Sequence, residues 1–153
     1  MNLDSLLEER REVILDRAAE AVRRAHLDHY GPGESERTRE RLERLFDLVR
    51  ESVGSHRVNE LMRYSDSIAA ERFASGFLLF EVQTAYNVLE EAIWHQVLER
   101  VPPEGLAEAL GLVSTVLGMG KDALARRYVS LASRAEAPSL DLSAIFKGKA
   151  AGA

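Results

Sequence analysis

An all-α fold, five helices joined by short turns, is what this sequence predicts, and three observations predict it. Apolar residues recur at steps of three and four in five successive stretches, the spacing that places them on one side of a helix. The breaks between those stretches carry helix-stopping residues: Tyr30-Gly31-Pro32-Gly33, Gly54-Ser55, Gly76 and Val101-Pro102-Pro103-Glu104-Gly105. No stretch alternates apolar and polar residues over a strand's length, and no segment repeats. Helices of this kind pack as a mainly antiparallel bundle or in a globin-like arrangement, and periodicity alone leaves the crossing angles open.

The first helix is read from Leu3 to about His29, with Leu3, Leu7, Ile14, Ala18, Ala21, Val22 and Ala25 along one stripe and Asp4 or Ser5 available to cap its start. Glycine and proline at 31–33 stop it. The second runs from Ser35, with Leu42, Leu45, Phe46, Val49 and Val53 as its stripe and a dense Arg/Glu background that reads as a solvated face. A third starts near Arg57 and carries Val58, Leu61, Met62, Ser65, Ile68, Ala69 and Phe73; Gly76 stands where a left-handed C-terminal cap is needed. The fourth holds Leu78, Leu79, Val82, Ala85, Tyr86, Leu89, Ala92, Ile93 and Val97, and Phe80, Val88 and Trp94 widen that stripe toward a second face. A helix apolar over so much of its circumference needs cover on several sides, so it is expected at the centre. The last helix continues from Leu106 to about Ser133, with Gly118 and Gly120 marking either a kink or a close helix contact. Periodicity is lost from Ala135, so the chain divides into a helical domain over 1–134 and a C-terminal tail over 135–153, whose Leu140, Leu142, Ile145 and Phe146 are available to dock on the body.

The length of 153 residues suits one core and no second domain. An apolar fraction of 46% with 29% charged residues is that of a soluble globular protein. A net charge of -5 without a basic cluster argues against nucleic acid and against an anionic membrane surface. The absence of cysteine excludes a disulfide framework, a thiol nucleophile and a thiolate metal site. The acidic start MNLDSLLEE is unlike a secretory signal, and no apolar run reaches membrane-spanning length, so a cytoplasmic protein is expected.

Candidate chemistry is sparse. His26 and His29 lie three apart beside Asp28, but no further ligands accompany them, and no metal site is predicted. The Glu-x-x-His spacing of carboxylate-bridged di-iron bundles is missing, since Glu91 and His95 are four apart. His95 is the one candidate haem ligand if the packing is globin-like, although a lone helical histidine is more often a surface or paired residue; no cofactor is predicted. Gly118-Met119-Gly120-Lys121 lacks the upstream glycine, the Ser or Thr and the preceding strand of a phosphate loop. No nucleophile elbow or catalytic triad can be assigned, so no catalytic residue and no enzyme is predicted. Phe77, Phe80, Tyr86, Trp94 and His95 form the candidate ligand pocket beside the fourth helix, with filling of the core as the simpler use of such aromatics, Phe73 among them.

One stretch is more distinctive: Glu71-Arg72, then Gly76-Phe77, then a helix that begins Leu79-Phe80-Glu81-Val82 and continues Tyr86, Leu89, Glu90, Glu91, Ala92 and Ile93, preceded by Ile14-Leu15-Asp16-Arg17, Tyr30 and the Arg-rich second helix. In this order the chain resembles the N-terminal domain of RsbRD-type RsbT co-antagonists over about residues 10–133. The resemblance implies an all-helical sensory or regulatory module of the stressosome-input kind, with no catalytic residues to carry over. Glu90 departs from the family, which often has arginine there. Such modules are commonly fused ahead of an output domain, for which no length remains here, so the resemblance implies a stand-alone domain. It would act through a signalling-protein partner or as a homodimer formed by exposed apolar parts of its terminal helices. A small-ligand or haem sensor is the alternative.

Overall fold

The computed structural model describes residues 2–25 and 34–136. Among these residues there are six helices and no strand: α1 (Leu3–Glu9), α2 (Arg11–Ala25), α3 (Glu34–Ser55), α4 (Asn59–Ala74), α5 (Leu79–Arg100) and α6 (Pro103–Glu136). The all-α class is therefore as predicted, and the count of five is corrected to six. The extra element comes from a break at Arg10 in what was read as one long first helix. Leu6, Leu7, Ile14 and Leu15 are all buried, and the positions midway along that stripe are Arg10 and Arg11. Both are half-buried, and charges at such positions need partners. At the break Arg10 donates from Nε to Gln96 Oε1 at 2.6 Å. Arg11 lies 5.7 Å from the centroid of the Phe46 ring and pairs with Glu12 and Asp47. Asn2 caps the new first helix by accepting from the Ser5 N–H at 2.7 Å, where Asp4 or Ser5 had been expected to do so.

The second to fifth predicted helices match α3 to α6. The α3 stripe Leu42, Leu45, Phe46, Val49 and Val53 is buried throughout, together with Leu48. Its charged background is more than a solvated face. Arg39 reaches across to Asp16 (2.6 Å) and Glu12 (2.8 Å) on α2, and Arg50 to Asp4 (2.8 Å) and Glu8 on α1. These half-exposed pairs contribute modestly to stability but fix α3 laterally against the first two helices. The central position expected for α5 is observed, and α3 shares it, since each touches all five other helices.

On α5 the buried residues are Val82, Tyr86, Leu89, Ala92, Ile93, Gln96 and Val97, a single stripe. Of the three residues expected to widen that stripe, Val88 packs against the core, whereas Phe80 is 64% exposed and Trp94 39%. α6 starts with Pro103 in its first turn, where the missing N–H is harmless. It then runs unbroken to Glu136, so Gly118 and Gly120 mark no helix end. The predicted turn at 30–33, His26 to His29 and the tail beyond Glu136 lie outside the described residues.

Gly76 closes α4 as the sequence requires. Its φ is +84°, Phe77 N–H donates to Arg72 O at 3.0 Å and Gly76 N–H to Phe73 O at 3.1 Å, the paired bonds of a Schellman cap. A Cβ added at Gly76 would meet nothing within 4 Å, so any penalty for a side chain there comes from the backbone. Gly76→Val is expected to cost about 1–2 kcal/mol, and Gly76→Asn much less, since asparagine tolerates the left-handed region. Equal melting temperatures for the two variants in thermal denaturation would contradict this account.

Candidate functional site

The cap at Gly76 has a consequence for the space between α2, α3, α4 and α5. It turns the chain so that Phe77 lies over the end of α4 and α5 starts beside it, leaving a pocket of about 90 Å³ open on one side. Val22 comes from α2; Thr38, Arg41, Leu42 and Leu45 from α3; Tyr64, Ile68 and Arg72 from α4; Phe77 from the connection; and Glu81, Val82, Ala85 and Tyr86 from α5. The walls are mainly apolar, with a few polar groups among them, the usual composition of a small-molecule site.

Arg72 is the chemically unusual member. Its residue is 8% exposed, its guanidinium carbon lies 4.6 Å from the Phe77 ring centroid, and its buried Nη2 has no hydrogen-bond partner. The aromatic face offers the charge an attractive electrostatic contact but accepts no N–H bond in the guanidinium plane. Arg41 is the second cation of the lining and lies 4.0 Å from Glu71. Glu81 contributes the one carboxylate of the lining, and its Oε1 accepts the Leu78 N–H at 3.0 Å, which fixes the first turn of α5.

Tyr86 of the lining is held by a hydrogen bond and a close helix approach. Ser65 Oγ donates to Leu61 O at 2.8 Å, so its one proton is committed and Tyr86 OH, 2.8 Å away, donates to Ser65 Oγ. At Gly120 a Cβ would stand 3.1 Å from Tyr86 Cε2 and 3.3 Å from Ser65 Oγ, so α6 presses against this pair with bare backbone. Gly118, by contrast, faces open space. Tyr128 of α6 donates to Phe77 O at 3.0 Å and meets the Phe73 ring edge-on at 5.6 Å, tying the connection to the last helix.

Burial pushes the Tyr86 phenol well above its usual range and pushes Tyr128 up to about 12. Both shifts raise the folded-state value above that of the unfolded chain. Their contribution is thus fully present below the unfolded tyrosine value of about 10 and is lost as pH rises through the folded values. Alkaline titration is expected to leave the fold unaffected by these groups up to about pH 10. Above that, phenolate absorbance from Tyr86 and Tyr128 should appear together with loss of helicity. A phenolate signal assigned to Tyr128 near its ordinary value, with helicity intact, would show that its burial is overstated.

The residues predicted to form the pocket separate into two groups. Phe77 and Tyr86 line it; Phe80 and Trp94 face solvent, and His95 does not enter it. His95 Nε2 instead lies 2.7 Å from Arg17 Nη2 and 3.1 Å from Glu91 Oε1 on the exposed side of α2 and α5. The hydrogen bond from Arg17 holds the Glu91 carboxyl below its usual range, with a smaller contribution from His95. Among the described residues no group of three or more His, Asp or Glu side chains is arranged to hold a metal ion.

Sequence reasoning missed Arg72, Arg41 and Glu81 as pocket residues. A signal for Arg72 was present, because it falls four residues after Ile68 and three after Ala69, on the apolar stripe of its helix. A charge on such a stripe is either paired or placed for a purpose.

Compared with known families, residues 12–137 match the family described as the RsbT co-antagonist protein rsbRD N-terminal domain. Compared with curated proteins and with solved structures, the chain matches none. Arg72, Phe77, Glu81, Val82 and Tyr86, which belong to the stretch that carried the resemblance in the sequence, line the pocket, and Gly76 shapes its rim.

Proposed function

The chain belongs to the rsbRD N-terminal domain family, and on that basis we propose that it is a non-catalytic input module of bacterial stress signalling, cytoplasmic, which works by association with other signalling proteins and with a second copy of itself. The family match over residues 12–137 carries this reading. Two further observations support it. No helix among the described residues is long and apolar enough to cross a membrane. Large apolar side chains stand exposed: Trp94 and Leu98, one turn apart on the outward side of α5, and Met119 and Val129 on α6. Side chains of this size left in water are commonly covered by a partner when they lie close together.

Sedimentation equilibrium of the purified chain tests the self-association: a dimer that dissociates in the variant Trp94→Glu/Leu98→Glu, with helicity retained, supports α5 as the contact. A monomer at every concentration removes the dimer. Affinity capture from the native lysate tests the partner. Recovery of stressosome components or a switch kinase of the RsbT kind supports the reading, and recovery of metabolic enzymes alone would count against it.

A further inference from the structure

We propose that the pocket between α2, α3, α4 and α5 binds a small straight-chain carboxylic acid, its carboxylate held by Arg72 and its alkyl chain lying along Val22, Leu42, Ile68 and Val82. The inference goes beyond the association reading and does not depend on it.

Three features select this ligand. The first is the buried guanidinium. Arg72 is more than nine-tenths buried, it lines the pocket, and its Nη2 lacks a hydrogen-bond partner. Buried charges are nearly always paired, and a buried N–H without an acceptor is rare in folded proteins. Phe77 lies 4.6 Å from the guanidinium carbon and accepts no N–H bond in the guanidinium plane, so Nη2 still lacks an acceptor. A planar carboxylate matches that geometry and can take two parallel N–H bonds where a second donor is within reach.

The second feature is charge. The lining holds Arg41 and Arg72 with Glu81, and Arg41 also lies 4.0 Å from Glu71, so the charges nearly balance and a monoanion suits the site better than a phosphate dianion. The third is shape. The pocket, about 90 Å³ and open on one side, has mainly apolar walls along which a flexible alkyl chain can lie. The open side lets a longer chain extend toward solvent.

Calorimetric titration of the full chain with sodium octanoate, and with 1-octanol as its uncharged counterpart, tests the proposal. Octanoate is expected to bind saturably at one site, and octanol roughly tenfold or more weakly, the scale of one charge-assisted hydrogen bond. Arg72→Met should lower octanoate to the octanol level without changing octanol itself, and Ala85→Phe, which fills the pocket, should abolish both. If Arg72→Met does not fold, Arg72→Lys takes its place: it keeps the charge and loses the fork, and weakened octanoate binding is the expected result. Absence of saturable binding, equal affinity for acid and alcohol, or octanoate binding indifferent to both Arg72 and Ala85 would overturn the assignment. None of these outcomes bears on dimerisation or partner capture, so the two readings fail separately.

Discussion

Phe46→Ala is expected to lower the stability of the chain by about 3–5 kcal/mol, the largest effect of any single truncation argued here. Phe46 is fully buried on α3, a helix that touches all five others, so the cavity would open where no single neighbour can collapse into it. The ring also underlies the guanidinium of Arg11 at 5.7 Å, next to the break between α1 and α2. Removing it therefore also withdraws the aromatic face on which the Arg11 guanidinium rests. For a chain of this length each kcal/mol corresponds to about 2–4 °C, so the melting temperature should fall by about 10 °C. Phe46→Leu should lose much less, because it restores most of the volume. Thermal denaturation followed by far-UV circular dichroism reads both, and equal losses for the two variants would rule out the cavity explanation.

Gly120→Val should be nearly as severe for the opposite reason. The added Cβ would sit 3.1 Å from the Tyr86 ring, 3.3 Å from Ser65 Oγ and 3.4 Å from Leu61 Cδ2, and valine brings two further methyl groups. Tyr86 cannot swing aside without giving up its bond to Ser65, which would leave a buried hydroxyl unsatisfied. Overpacking of about 1–3 kcal/mol and a lost buried hydrogen bond of about 1 kcal/mol or more act together. Gly120→Ala is expected near neutrality, since the gain in helix propensity of about 1 kcal/mol offsets the tighter contact. Gly118→Ala, facing open space, should stabilise by about the same propensity term. Urea midpoints for the three variants separate a close-contact glycine from an idle one. Because Tyr86 lines the pocket, Gly120→Val should also weaken octanoate binding, a link between the helix contact and the site.

The candidate site was legible in part. Phe77 and Tyr86 were found because aromatics at helical spacing next to a glycine cap are visible in one dimension. Phe80 and Trp94 were grouped with them for the same reason and face solvent instead, since hydrophobicity says that a side chain favours burial without saying that a neighbour is there to bury it. His95 was singled out as a lone ring on the central helix; its partner Arg17 comes from 78 positions earlier in the chain, beyond the reach of any local pattern.

By itself the sequence determined the all-α class, the breaks that separate α3 from α4, α4 from α5 and α5 from α6, the buried stripes of α3 and α5, the left-handed cap at Gly76 and the family. All of these follow from local rules: spacing of three and four, the φ freedom of glycine, and the order of short motifs. Only the tertiary structure decided that the first helix breaks at Arg10, that Arg72 turns inward against Phe77, that Gly120 and not Gly118 is the contact glycine, and which aromatics enclose a pocket. Each of those depends on what a distant segment presents at a given height on the helix. A periodic pattern fixes the direction in which a side chain leaves its helix, and packing fixes what it meets.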